Sequence, residues 1–140
     1  MLYTVDVEAW TARKIAAFLT ARPDAPDGII VSNEWYDPGQ APVWYVVVRY
    51  DPGARDRFRE DAAGLGITII GDPDDIAGLE TNRVANLIAA YLQLLPAVEQ
   101  GNPYADLTDV SGPARIDDES GRPVRYLTAN AVLVGTPTQL

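Results

Sequence analysis

Residues Ala105–Val134 read ADLTDVSGPARIDDESGRPVRYLTANAVLV, and this stretch decides the fold. Two extended segments, Ala105–Ile116 and Pro123–Val134, flank a short turn rich in Asp, Glu, Ser and Gly. Extended segments separated by such turn residues predict an antiparallel hairpin, whose acidic tip should lie in water. In the second segment, both the even-numbered and the odd-numbered positions carry apolar side chains, and these positions point to opposite faces of a strand. We therefore expect a helix on one face and a partner on the other.

Two segments with apolar residues at helical spacing predict helices. The first is Val5–Ala21, with Asp6 as its N-cap. The second is Asp75–Leu95, with Asp74 or Asp75 as its cap and Ile76 counted on its apolar face. We expect this second helix to cover the hairpin that follows it.

Strands are predicted between the two helices. Ile29–Trp35 and Val43–Tyr50 are separated by a loop with Pro and Gly, which favours an antiparallel pair. Val43–Val48 is apolar at both parities, so this strand should be central and covered on both faces. Ile67–Ile70 predicts a further short strand, and Asp51–Gly66 before it is expected to be irregular.

The order of these elements predicts an α+β fold. We expect a mixed or mostly antiparallel sheet of about five strands, with two helices packed on it. The chain has 140 residues, a length that predicts a single domain over residues 1–140.

The composition excludes several kinds of chemistry. The chain has no cysteine and no histidine, which rules out disulfides, thiolate metal sites and a histidine general base. Its 20 acids and 11 bases give a net charge of −9, which disfavours nonspecific binding to nucleic acid. The longest apolar run, Val43–Val48, is far shorter than the roughly 20 residues that span a bilayer. We therefore expect a soluble protein that binds no membrane and no specific nucleic acid.

Catalytic motifs are missing from the sequence. Ser111-Gly112 does not fit the G-x-S-x-G pattern, and no histidine is present to activate the serine. The glycines form neither a phosphate-binding loop nor a dinucleotide-binding fingerprint. We therefore expect that the protein is not an enzyme and that it has no catalytic residue, no cofactor and no bound metal.

Two acidic clusters leave alternatives open. One precedes the second helix and the other forms the hairpin tip: Asp72, Asp74 and Asp75, and Asp117, Asp118 and Glu119. Their ordinary roles are helix capping and a solvated turn, which we favour. The alternatives are a calcium or magnesium site, or the carboxylates of a metal-dependent hydrolase. The hydrolase requires the two clusters to converge in one pocket.

Five further residues are candidates for contact with a partner. Arg55, Arg57 and Arg59 alternate with other residues in a loop-like segment, and their guanidinium groups suit phosphate or acids on a neighbouring subunit. A solvated segment with local ion pairs is the alternative. Trp35 and Tyr36 lie beside a loop, where they would serve either as core residues with polar tips or as interface anchors.

Several stretches together carry a resemblance to a known family: Ala16–Leu19, Val46–Arg49, Ile67–Gly71, Asn82–Ala85, Asp109–Pro113 and Pro123–Tyr126. In these stretches and their order, the chain resembles the tail terminator proteins of long-tailed (siphovirus) phages. That group includes the phage lambda tail protein U, and the actinobacteriophage versions are the most similar.

This resemblance implies a structural virion protein that forms a ring, with a hexamer expected. Such a ring caps the tail tube, ends tail polymerisation and provides the surface for head–tail joining. The implied partners are further copies of the chain, the major tail tube protein and the head-completion protein, and DNA would pass through the ring. The implied location is the head–tail junction of the virion, and the host cytoplasm during assembly. The alternative is another head–tail connector or minor tail protein, such as a stopper or adaptor.

The candidate contact residues are compatible with a ring, which needs two different patches that meet head to tail. The Arg55–Arg59 segment and the acidic tip Asp117–Glu119 are oppositely charged, so we expect them to be such patches or to face the tube and the head side. An acidic lumen would also repel DNA phosphates.

Overall fold

The computed structural model describes residues 6–35, 43–55, 59–97 and 102–134. Within these ranges the chain forms two α-helices, six strands and a short 3-10 helix, Leu95–Ala97. In chain order the main elements are α1 (Val7–Thr20), β1 (Ile30–Ser32), β2 (Tyr45–Asp51), β3 (Ala54–Arg55), β4 (Arg59–Ile70), α2 (Leu79–Leu94), β5 (Tyr104–Ile116) and β6 (Val124–Val134).

The strands form one mixed sheet. Its order is β1-β2-β4-β6-β5, and the two-residue β3 pairs with β4 beyond the end of β2. The pairs β2–β4, β4–β6 and β5–β6 are antiparallel, whereas β1 and β2 are parallel. The predicted α+β fold, with about five main strands and two helices, is confirmed, as is the hairpin formed by β5 and β6.

The main core lies between the two helices and one face of the sheet. Ile15 of α1 and Ile88 of α2 are fully buried, together with Ile67 of β4 and Leu127 of β6. Burying each such side chain contributes roughly 1.5–3 kcal/mol, so this layer is the main source of stability.

A second, smaller cluster covers the opposite face of the sheet. It contains Tyr45, Val47, Ile70 and Val124. The Tyr45 hydroxyl donates to the Glu34 carbonyl at 2.9 Å, which ties the chain after β1 to this face. Strand β2 is therefore central and covered on both faces, as predicted.

The predicted antiparallel pairing of Ile29–Trp35 with Val43–Tyr50 is wrong. The strands are shorter than predicted, with β1 ending at Ser32 and β2 beginning at Tyr45. The connection therefore spans residues 33–44, and about a dozen residues are enough for the crossover that a parallel pair requires.

The predicted irregular segment Asp51–Gly66 is also largely wrong, because β4 begins at Arg59 and has 12 residues. Gly64 and Gly66 look like chain breakers in the sequence, yet both lie within the strand. A Cβ at Gly66 would collide with the Tyr126 hydroxyl, so glycine there allows the tyrosine to cross the neighbouring strand closely.

The helix starts follow capping chemistry. Asp6 caps α1 as predicted, since its carboxylate accepts from the Ala9 N–H at 3.1 Å. Helix α2 begins at Leu79 rather than at Asp75, with Gly78 at the N-cap position. Asp75 still caps the helix from outside it, because its carboxylate accepts from the Thr81 N–H and hydroxyl, both at 2.7 Å. Ile76 consequently lies before the helix and is 90% exposed, not on the buried face.

Candidate functional site

The two predicted contact regions lie at opposite ends of the sheet. In the β4–β6 register Arg59 pairs with Val134, whereas Ile70 pairs with Val124, which follows the hairpin tip. The eleven steps from Arg59 to Ile70 extend at most about 36 Å at about 3.3 Å per residue, and the irregularity between Glu60 and Ala63 shortens this distance. The side chains of Arg55 and Arg59 and the whole of Arg57 lie outside the described residues, so only the strand positions of Arg55 and Arg59 are established.

The hairpin tip presents carboxylates to water, as predicted. Asp117 and Glu119 are exposed, and Asp117 accepts from the Arg115 Nε at 3.1 Å. This ion pair is almost fully solvated, so it contributes little to stability. Asp118 is partly buried and accepts from the Ser120 hydroxyl and from the Ser120 N–H, the latter at 2.9 Å. These hydrogen bonds lower the pKa of the Asp118 carboxyl, so it stays ionised at neutral pH.

Arg122, at the base of the tip, is a buried cation that sequence reasoning missed. Only 7% of the residue is exposed. Its guanidinium donates to the Gly71 carbonyl at 2.7 and 3.0 Å and to the Val43 carbonyl at 2.8 Å. Burial lowers its pKa, and the charges of Asp72 and Asp118 oppose that shift. Arg122 therefore ties the hairpin to the end of β4 and to the residues before β2.

Arg125 is a second buried arginine, 9% exposed, and it faces α2. It donates to the Asn82 side chain at 3.2 Å, to the Val124 carbonyl at 3.1 Å and to the Gly78 carbonyl at 3.4 Å. Burial raises the pKa of Asp75, but hydrogen bonds from the start of α2 and the charge of Arg125 outweigh burial and leave that pKa lowered. One signal could have revealed Arg125: it shares the parity of the helix-facing residues of β6.

A cavity of about 490 Å³ opens between the hairpin tip and the start of α2. Its lining includes Arg115, Arg122 and Arg125, with Ile76 and Ile116 as apolar members. We call it the arginine cavity. Asp117 and Asp118 also line it, but they already accept from Arg115 and Ser120.

A second cavity, of about 460 Å³, lies beside Trp44. We call it the acidic cavity because five carboxylates line it: Asp24, Asp72, Asp74, Asp75 and Glu80. The two acidic clusters of the sequence thus line different cavities and do not converge in one pocket as a hydrolase would require. Among the described residues, no group of three or more acids is arranged to hold a metal ion.

Trp35 lies just after β1 and is 64% exposed. It lines a cavity of about 270 Å³ with Thr68 and Tyr126, on the sheet face turned away from the helices. Its exposure suits the predicted role as an interface anchor better than a core role. Tyr36 lies outside the described residues.

In the described ranges, neither helix has the length and the apolar character needed to cross a membrane. Compared with known proteins, the chain matches no protein-family model and no curated protein sequence.

Proposed function

We propose that this chain is a structural virion protein that forms a ring on the end of a phage tail tube, ends tail polymerisation and provides the surface for head–tail joining. The proposal rests first on the sequence resemblance described above. Its main structural support is that the two contact regions lie at opposite ends of the sheet, one at the start of β4 and the other beside its end. A capping subunit needs such separation, because it contacts the tube on one side and the head-completion complex on the other.

The hairpin-tip end of the subunit is built to hold its shape. Arg122 joins the hairpin to the end of β4, and Arg125 joins β6 to the start of α2. Asp75 caps α2 beside them. Exposed Asp117 and Glu119 therefore stand on a base whose polar groups are bonded across three elements, which suits a surface that must meet a partner without rearranging.

The net charge of −9 also supports a role at the head–tail junction. DNA carries closely spaced phosphates, and it must pass through a ring without binding to it. An acidic subunit repels phosphate, so it would leave the passage free.

Binding to purified assemblies tests the proposal and its main rival. We expect the protein to bind to the ends of tail tubes in a pull-down and in negative-stain images. Binding to the portal complex but not to tube ends would instead indicate a stopper or an adaptor. No binding to either assembly would contradict a role in head–tail joining.

A charge variant makes this test specific to the hairpin tip. The double variant Asp117→Asn/Glu119→Gln removes two exposed charges and should weaken binding to the tube or to the head complex. The matched control, Asp51→Asn/Asp109→Asn, removes two exposed charges near the middle of the sheet, at the level of Gly64, and should bind normally. Equal binding by the two variants would exclude the tip as a contact surface.

A further inference from the structure

The pairing of β1 with β2 stops earlier than the length of β2 allows. Strand β1 ends at Ser32, opposite Val47, whereas β2 continues to Asp51. The Ile30 N–H donates to the Trp44 carbonyl at 3.1 Å, so the even-numbered residues of β2 turn their backbone groups toward the β1 side. The second half of β2 therefore has an edge that β1 does not cover.

The register fixes the two hydrogen bonds that would continue this parallel ladder. The Glu34 N–H would donate to the Val48 carbonyl, at the same spacing that joins Ile30 to Trp44. The Tyr50 N–H would then donate to the Glu34 carbonyl. One further step of the ladder thus requires both backbone groups of Glu34.

The groups that this step requires are engaged elsewhere in the structure. The Glu34 N–H donates to the Ser32 hydroxyl at 3.0 Å, and the Glu34 carbonyl accepts from the Tyr45 hydroxyl at 2.9 Å. The Tyr50 N–H donates to the Glu8 carboxylate of α1 at 2.9 Å. Three side chains therefore replace the backbone bonds that would extend β1.

The chain after β1 consequently lies on the sheet face turned away from the helices, which we call the outer face. Tyr45 belongs to the small cluster on this face, and Trp35 lines a cavity there with Thr68 and Tyr126. We call residues 33–35 the strap. Tyr45, to which the strap is bonded, is only 2% exposed.

We infer that the strap is a latch with two positions. In the closed position, which the structure has, it lies on the outer face. In the open position, residues 33 and 34 extend β1 along the edge of β2 and withdraw Trp35 from the outer face. The two positions exclude each other, because the single Tyr50 N–H donates either to Glu8 or to Glu34. Opening therefore uncovers the outer face to a partner.

The hydrogen bonds set the balance between the two positions. Opening exchanges bonds made by side chains for two backbone bonds, and the released side chains turn to water. The bond to the Glu8 carboxylate is charge-assisted, and the strap also covers Tyr45, so the closed position is the major one. Glu8 and Tyr45 thus hold the strap closed from the two sides of the sheet.

The length of the chain permits the exchange. In the open register, residue 34 lies opposite Arg49, which is about 13 Å from Tyr45 along β2. Residues 35–44 extend up to about 33 Å, so they can return from there to the start of β2. The inference does not depend on the proposed function, since all of its hydrogen bonds lie within one copy.

Two conservative substitutions should shift the latch toward the open position. Glu8→Gln replaces a charged acceptor by a neutral one and should raise the open-to-closed ratio about fivefold. Tyr45→Phe keeps the ring but removes the hydroxyl, and it should have an effect of about the same size. Because the two bonds close the same latch, the double variant should raise the ratio about 25-fold.

Nitrogen-15 relaxation dispersion measures the exchange in the intact chain, since motions of this kind take microseconds to milliseconds. Each substitution should increase the exchange at the site of the other: Glu8→Gln at the Glu34 amide and the Trp35 indole, and Tyr45→Phe at the Tyr50 amide. This remote effect separates a latch from a local disturbance. The matched controls Glu119→Gln and Tyr91→Phe should leave the exchange unchanged, because neither residue contacts the strap or Tyr50.

Either of two outcomes overturns the inference. One is an absence of exchange at Glu34, Trp35 and Tyr50 in the double variant. The other is exchange that each substitution changes only beside itself, or no more than the controls do. A dispersed amide spectrum shows that a variant is folded, and if the double variant does not fold, the remote effects of the two single variants decide by the same criterion.

Discussion

Replacing Arg122 by alanine should destabilise the fold more than any other arginine substitution in the hairpin. Three hydrogen bonds from its guanidinium reach the carbonyls of Gly71 and Val43, and the residue is 7% exposed. A hydrogen bond to a charged group contributes about 1.5–3 kcal/mol, and a buried carbonyl left without its donor costs a similar amount. Water can reach the edge of this site and offset part of the loss, so we expect a decrease of about 3 kcal/mol in the free energy of unfolding.

Urea denaturation followed by tryptophan fluorescence measures this change. With a slope of about 2 kcal/mol per molar urea, the midpoint should fall by about 1.5 M. The melting temperature should fall by about 10 °C. Arg122→Lys keeps the charge but lacks the planar fork that reaches two carbonyls, so it should recover only part of the loss.

Arg115→Ala is the matched control, since Arg115 lies on the same hairpin with its side chain 76% exposed. Its ion pair with Asp117 is solvated, and its removal should change the stability by less than about 0.5 kcal/mol. If the two alanine variants agree within that margin, Arg122 does not hold the hairpin to the sheet and the reasoning above is refuted.

Three further changes test the core and the helix cap. Burial raises the pKa of Tyr104 to about 12, so the folded state should lose up to about 3 kcal/mol as the pH rises from 10 to 12; Tyr104→Phe should abolish this loss in urea titrations. Gly66→Ala should lower the free energy of unfolding by about 1–3 kcal/mol, because the added methyl group meets the Tyr126 side chain. Gly64→Ala has room for its methyl group and should not change the melting temperature. Equal effects of the two substitutions would exclude the close approach of Tyr126 to Gly66. Asp75→Ala should lower the free energy of unfolding by about 1–2 kcal/mol at pH 7, and Asp74→Ala should lower it much less. Because the pKa of Asp75 is lowered in the folded state, the difference in stability between wild type and Asp75→Ala should vanish as the pH falls through that folded pKa. A difference that persists in acid would contradict the role of Asp75 as the helix cap.

Local patterns were sufficient for most of the fold. The turn between Ile116 and Val124 is marked by residues that favour turns, so the hairpin could be predicted without knowing its surroundings. Asp6 lies directly before a helical apolar stripe, which is where a cap is expected. Buried β2 could be recognised because both of its parities are apolar.

The errors concern information that local patterns do not contain. The relative direction of β1 and β2 depends on the path of the connection between Ser32 and Tyr45. The sequences of the two strands do not encode that path. Gly66 looks like a break until the ring that covers it is known. Ile76 has helical spacing with the residues of α2, yet the cap formed by Asp75 starts the helix three residues after it.

The residues of the candidate site likewise divide into those that local sequence patterns predict and those that they do not. Exposure of Asp117 and Glu119 follows from their place in a polar turn, and the sequence predicted it. Burial of Arg122 does not, because its carbonyl partners lie 51 and 79 residues away along the chain. Only the tertiary fold brings those oxygens to the hairpin.

Tail length tests the proposed function most directly. Electron microscopy of particles assembled with every other virion protein but without this chain should show tails of abnormal and variable length that are not joined to heads. Supplying the wild-type chain should restore a single tail length and joined particles. Tails of normal length attached to heads in its absence would contradict the proposal.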